Sequence, residues 1–215
     1  MQNIVEVNSV IKKFVDTKVL DDISLSIELG DKIAMMGPNG AGKTTLIRAI
    51  LGFYHIDKGS ISVEGYDPVK SRVDVLKVVS FIPQLPPPIK LSVSELLKFV
   101  ERSTNTKIEK IVQHANMMEL DLKKHLNKPF FKLSGGMKQK LLISIALAKK
   151  SRLLVFDEPT ANLDPKSREH FYKLLSSINY EHSTIFVTHR IEEINGLVNR
   201  KVYIDLGKVV EDERI

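Results

Sequence analysis

A chain of 215 residues with 43% hydrophobic and 27% charged residues can bury a sizeable core, which excludes a mainly disordered state. Its 32 Lys+Arg against 26 Asp+Glu give a net charge of +6, but the basic residues are scattered and read as solvated surface, so no nucleic-acid partner is expected. Zero Cys excludes disulfides and thiolate metal sites and agrees with a reducing, cytoplasmic compartment.

Taken in chain order, Met1 to Val10 has neither a basic start nor a small-residue cleavage site, so no secretory leader is expected. Ser24-Leu25-Ser26-Ile27 alternates polar and apolar residues, the pattern of a half-buried strand. Lys32 to Met36 is a short apolar strand that enters a glycine-rich turn, and Thr44 to Leu51 reads as a helix stopped by Gly52. Val79 to Pro83 is strand-like, and Pro86-Pro87-Pro88 favours stiff polyproline II. Ser92-Val93-Ser94-Glu95 then has the form of a capping box and opens a periodic apolar run, Leu96, Leu97, Phe99 and Val100. A second helix is predicted over Lys107 to Met118, and no strand signal occurs between Ser92 and about Leu126.

Lys138 to Lys150 is a long helical run. Its apolar stretch, Leu141 to Ala148 broken by Ser144, falls far short of the ~20 residues of a spanning helix, so a membrane role would need another chain. Leu153 to Phe156 and Thr184 to Val187 are compact buried strands, and Pro165 to Ile178 sets Phe171, Leu174, Leu175 and Ile178 on one helical face. Strand–helix alternation predicts an α/β fold with a largely parallel sheet in the second half and a helical insertion.

Gly37-Pro38-Asn39-Gly40-Ala41-Gly42-Lys43-Thr44 fits Gly-x-x-x-x-Gly-Lys-[Ser/Thr] in full, between a strand and a helix. Glycines let backbone N–H groups wrap around phosphate oxygens, and the following helix aims its positive end at them. Lys43 brings a charge to the β- and γ-phosphates, the Thr44 hydroxyl can ligate Mg²⁺, and Thr45 can reach the α-phosphate. Leu153 to Phe156 ends in Asp157 and Glu158 at the carboxyl end of a strand, where ligands of such folds sit. Asp157 can hold Mg²⁺, and Glu158 can take a proton from an attacking water.

Leu133-Ser134-Gly135-Gly136-Met137 precedes the long helical run. With the glycine-rich loop and the two acids, this resembles the signature of an ATP-binding cassette (ABC) ATPase over essentially the whole chain. The resemblance implies a P-loop NTPase core, residues 1–84 and 129–215, with an N-terminal antiparallel β subdomain and an inserted α-helical subdomain, residues 85–128. It also implies ATP and Mg²⁺ as ligands, and an ATP-hydrolysing subunit of a membrane transporter held to the cytoplasmic face by integral membrane subunits. Two cassettes, as a homodimer, would sandwich ATP head to tail, with Ser134, Gly135 and Gly136 reaching the partner's nucleotide.

By the same resemblance Gln84 matches a glutamine that contacts Mg²⁺ and the attacking water, and His189 a histidine that touches the γ-phosphate. Asp164, in Ala161-Asn162-Leu163-Asp164, matches an acid at the dimer interface and could equally cap the following helix. Phe14 stands where the family stacks an aromatic ring on adenine, with ordinary packing as the other reading. Met137 departs from the family's usual Gln, and Met137-Lys138-Gln139 is similar to exporter-like members, among which subunits serving copper-enzyme maturation are one match. Thr44 replaces the commoner Ser and keeps its hydroxyl. A DNA-maintenance or regulatory cassette is the alternative, but the chain has no sustained heptads and Glu158 and His189 favour hydrolysis. The chain closes soon after His189, so no further C-terminal domain is expected.

Overall fold

The computed structural model describes residues 2–188 and 191–215, and these fall into two compact units. The first comprises the chain up to Val79, Arg152–Asp157 and Glu181–Ile215; the second comprises Ser80–Ser151 and Glu158–Tyr180.

Two sheets build the first unit. In the smaller one, β1 (Asn3–Phe14) pairs antiparallel with β2 (Thr17–Glu28) and β4 (Lys58–Val63), in the order β2-β1-β4. Val5, Val7 and Val10 of β1, with Leu20, Ile23, Leu25 and Ile27 of β2, turn to the buried face. This is the expected N-terminal antiparallel sheet.

The larger sheet carries β3 (Lys32–Met36), β6 (Leu153–Asp157), β7 (Ser183–Val187), β8 (Arg200–Asp205) and β9 (Lys208–Arg214), ordered β6-β7-β3-β8-β9 within this unit. β6, β7, β3 and β8 run parallel, and β9 returns antiparallel along β8. β6 and β7 are buried at every position, which explains why they read as unbroken apolar runs. Phe156 and Phe186 sit opposite in register and stack with ring centres 5.1 Å apart. The unit also holds α1 (Lys43–Ile50), α2 (Arg72–Val78) and the short α7 (Ile191–Ile194).

An ion network centred on the buried Arg200 and Asp31 ties its edge. Arg200 donates Nη1 to Asp31 Oδ2 at 2.6 Å and grips Asp212 through Nε and Nη2 at 2.7 and 2.6 Å. Arg214 reaches the other Asp31 oxygen at 3.1 Å.

The second unit is helical. After β5 (Val79–Ile82) come α3 (Val93–Thr104), α4 (Ile108–Met117), α5 (Gly135–Ala148) and α6 (Pro165–Ser176), with two short 3₁₀ turns, Leu122–His125 and Phe130–Lys132, between α4 and α5. The capping box is formed as expected: the Glu95 amide donates to Ser92 Oγ, and the Ser92 amide donates to Glu95 Oε2. Leu96, Leu97 and Val100 of α3 pack with Ile111, Ala115, Phe130 and Leu141 in one apolar core. α5 starts three residues before the sequence predicts, at Gly135, because Ser134 Oγ accepts the Met137 amide at 3.2 Å and caps the helix there.

Candidate nucleotide-binding site

In the first unit, β3 ends at Met36, and the loop from Gly37 to Gly42 leads straight into α1. Gly37 has φ 136, and a Cβ there would lie 1.9 Å from the Ile204 carbonyl oxygen. Only glycine fits, because both the dihedral and the close strand forbid a side chain. The β8–β9 turn holds the loop from one side, since Gly207 N–H donates to the Ala41 carbonyl at 3.0 Å. Inside the loop, Ala41 N–H donates back to the Pro38 carbonyl at 3.2 Å. Pro38, Asn39 and Gly40 form the outer rim, and Gly40 has no atom within 4 Å of a would-be Cβ.

The buried Lys43 turns its ammonium into this curl and donates to the Gly37 and Pro38 carbonyls at 2.7 and 2.8 Å. Thr44 and Thr45 follow on the first turn of α1, both half-buried. The Thr44 hydroxyl points across to Asp157 Oδ2, 3.4 Å away at the end of β6. Burial pushes the Asp157 carboxyl up from its ordinary value, against the pull of Thr44, Arg48 and Lys43.

A buried carboxylate beside a hydroxyl is a hard oxygen pair under-supplied with positive charge, so these two side chains fit a divalent cation. Among the described residues no group of three or more His, Asp or Glu gathers, so such a cation would take most of its ligands from phosphate and water.

Phe14 stands at the end of β1, and its ring meets Tyr54 edge to face, with centres 5.2 Å apart at 77°. Lys12 Nζ lies 5.1 Å from the same ring, and Arg48 Nη1 donates to the Tyr54 hydroxyl at 2.8 Å. Phe14 is 40% exposed, which leaves ring surface available to a flat ligand. Tyr54 and Arg48 were not foreseen; the only signal for Tyr54 is an aromatic residue just past the glycine that stops α1.

The second unit holds the remaining residues. Gln84 follows β5, and its carbonyl accepts from Asn162 Nδ2 at 3.3 Å. Gly135 and Gly136 form the first turn of α5, where a Cβ on Gly136 would come 3.2 Å from the Asn162 carbonyl oxygen. Glu158 has φ 48, a left-handed conformation that is unusual for a non-glycine residue and recurs at functional sites. Gln139 is completely buried and donates Nε2 to the Pro159 carbonyl at 3.0 Å. Asp164 caps α6, accepting from the Ser167 hydroxyl and amide, which hold its carboxyl below the usual range. The expected helix-capping role of Asp164 is therefore filled. His189 lies outside the described residues.

The ABC transporter family profile matches residues 20–161 of the chain. The chain belongs to the ABC transporter family. It is 35% identical over 226 residues to the cell division ATP-binding protein FtsE of Streptococcus pneumoniae, covering 98% of this chain and 96% of that protein. It is 34% identical over 200 residues to the SkfA peptide export ATP-binding protein SkfE of Bacillus subtilis, covering 90% and 82%. Among solved structures, an ATP-binding subunit of an ABC transporter superposes with TM-score 0.87 at 23% identity, over 99% of this chain and 90% of that one. At that identity the superposition speaks for the fold. As an ABC ATPase, the chain binds and hydrolyses ATP as a transporter subunit and works as a dimer with membrane subunits. None of its described helices is long and apolar enough to cross a membrane itself.

Proposed function

We propose that two copies of this chain close head to tail over two Mg²⁺–ATP molecules, and that closing and reopening drive membrane subunits docked on the cytoplasmic side. The observation that carries this reading is the grouping of the Lys43 ammonium, the Thr44 hydroxyl and the buried Asp157 carboxylate where β3 and β6 end, beside the loop from Gly37 to Gly42. The amides from Gly40 to Thr45, with Lys43, hold the phosphate tail, and Phe14 stacks on the adenine. Thr44, Asp157 and Gln84 would hold Mg²⁺, which would supply charge neutralisation at the phosphates.

One copy alone leaves the γ-phosphate open to solvent. The α5 N-terminus of a second copy, with Ser134, Gly135 and Gly136, covers it and adds amide donors while Asp164 lines the interface. Glu158 takes the proton of the attacking water, oriented by Gln84 and His189. The order of these parts along the chain and the complete set of acid, amide and cation donors support the reading.

Coupling needs a surface that receives the membrane subunits. Leu85 and Leu91 are exposed in the second unit, on either side of Pro86-Pro87-Pro88. An apolar, stiff segment of this kind suits a short helix from a membrane partner. Met137-Lys138-Gln139 and the short helical insertion favour an exporter-like system.

The test of the hydrolytic assignment is Glu158→Gln in the purified chain. Turnover is lost while Mg²⁺–ATP binding persists and a dimer accumulates on sizing columns. Hydrolysis at the parental rate would remove Glu158 from the base role. Replacing Pro86, Pro87 and Pro88 together with serine should abolish transport in reconstituted vesicles and leave basal ATPase activity in place; loss of folding would assign the segment to packing.

A further inference from the structure

Gln139 is a buried polar side chain near the α5 N-terminus whose chemistry the reading above does not use. It sits on the second turn of the helix that begins at Gly135, fully buried, in a place where the neighbouring positions Leu141 and Ile143 are apolar. Its Nε2 donates to the Pro159 carbonyl, while its Oε1 is buried without a hydrogen-bond partner among the described residues. An orphaned buried acceptor is costly, and an apolar side chain of the same length would avoid that cost. The polar group is therefore kept for its donor.

What that donor holds is the Pro159–Thr160 peptide, one unit beyond the one that follows Glu158. Glu158 is fixed in the left-handed region at φ 48, a conformation that persists only where the surroundings over-determine it. The turn after it is closed by Ala161 N–H donating to the Glu158 carbonyl at 3.2 Å and Leu163 N–H donating to the Thr160 carbonyl at 3.1 Å. The same helix meets this turn a second time, where Gly136 lies against the Asn162 backbone. The turn thus rests on α5 at two points, Pro159 and Asn162.

We propose that Gln139 is a positioning residue for hydrolysis: its amide clamps Pro159 to the signature helix and thereby holds the Glu158 carboxylate in its working orientation. This rests on Glu158 being the base. The clamp also gives a physical route between α5, whose N-terminus faces the opposite nucleotide on that reading, and the base of its own copy. It acts through one hydrogen bond, so it affects the chemical step and leaves ground-state ATP binding alone.

The experiment compares Gln139→Met and Gln139→Glu with the parent, in the full chain, by ATPase kinetics across pH, by ATP binding and by urea unfolding. Met keeps the length and loses the donor. Its kcat should fall about tenfold, with KM and ATP affinity unchanged. Glu offers no donor when ionised and one when protonated, so the kcat of Gln139→Glu relative to the parent should rise as pH falls. A Met variant that folds and retains parental kcat overturns the proposal. So does a Met variant whose ATP affinity falls at constant kcat, or a Glu variant whose relative kcat is flat with pH, because either would make Gln139 a packing residue. Glu158→Gln, assayed alongside, separates the two ideas. Parental turnover in that variant defeats the base assignment itself, whereas lost turnover there with a fully active Gln139→Met defeats only the clamp.

Discussion

Adding a single methyl group at three glycines of the first unit separates the geometry of the phosphate loop from general stability. Gly37 and Gly52 are matched: a Cβ on either lies 1.9 Å from a carbonyl oxygen, of Ile204 and Pro68 respectively, and both have positive φ, 136 and 69. Since real Cβ atoms stay at least 3.0 Å from such an atom, each alanine must push backbone apart by about 1 Å in a packed interior. Overpacking together with the dihedral strain amounts to about 4 kcal/mol at each site. Gly40 has φ 84 and open space around it, so alanine there costs only the dihedral term, about 1 kcal/mol.

Urea unfolding without nucleotide reads the stability, and calorimetric titration with Mg²⁺–ATP reads the loop. Gly37→Ala and Gly52→Ala should lose similar stability, with Gly40→Ala close to the parent. Only Gly37→Ala should also lose ATP binding, because its displaced backbone carries the carbonyls that orient Lys43; the affinity of Gly52→Ala should stay within about threefold of the parent. The reasoning fails if Gly37→Ala unfolds with Gly40→Ala, or if Gly52→Ala loses ATP binding as completely as Gly37→Ala.

Three further outcomes follow from the site and its supports. Because the native Asp157 carboxyl takes up its proton at higher pH than the unfolded chain does, nucleotide-free protein loses stability as pH climbs through that range. Asp157→Asn should therefore be more stable than the parent at pH 7, with the advantage vanishing below about 3.8, yet bind Mg²⁺–ATP poorly; equal urea midpoints at pH 7 would contradict this. Phe14→Leu should weaken ATP binding about tenfold while leaving tripolyphosphate binding unchanged in parallel titrations, and an equal loss for both would place Phe14 in packing. Asp31→Ala removes the buried carboxylate that Arg200 and Arg214 share, leaving Arg200 with Asp212 and the exposed Arg214 with Glu28, and should cost about 2 kcal/mol in urea unfolding, against no measurable change if the network is idle.

Several parts of this protein are legible from residues that act locally. The loop from Gly37 to Thr44 is specified by dihedral freedom and one ammonium, the α3 start by the Ser92–Glu95 exchange, and β6 and β7 by burial on both faces. Of the twelve-residue strands β1 and β2, the sequence pattern marks only Ser24 to Ile27 of β2 and nothing of β1, because register shifts interrupt their pairing and break the period-two alternation that marks a strand. β8 and β9 went unseen for a related reason: β9 is an exposed edge with little apolar content, and β8 keeps Arg200 and Lys201 among its apolar positions.

The sequence by itself determined the chemistry, since a phosphate-binding loop, a paired carboxylate strand end and a helix opened by small residues are each fixed by short-range sterics and charge. The tertiary structure alone decided which side chains support that chemistry. Tyr54 against Phe14, Gln139 under Pro159 and Asn162 between Gln84 and α5 are pairings of residues far apart in the chain. Such contacts depend on how whole elements pack, and an isolated glutamine or asparagine carries no local pattern that announces its partner.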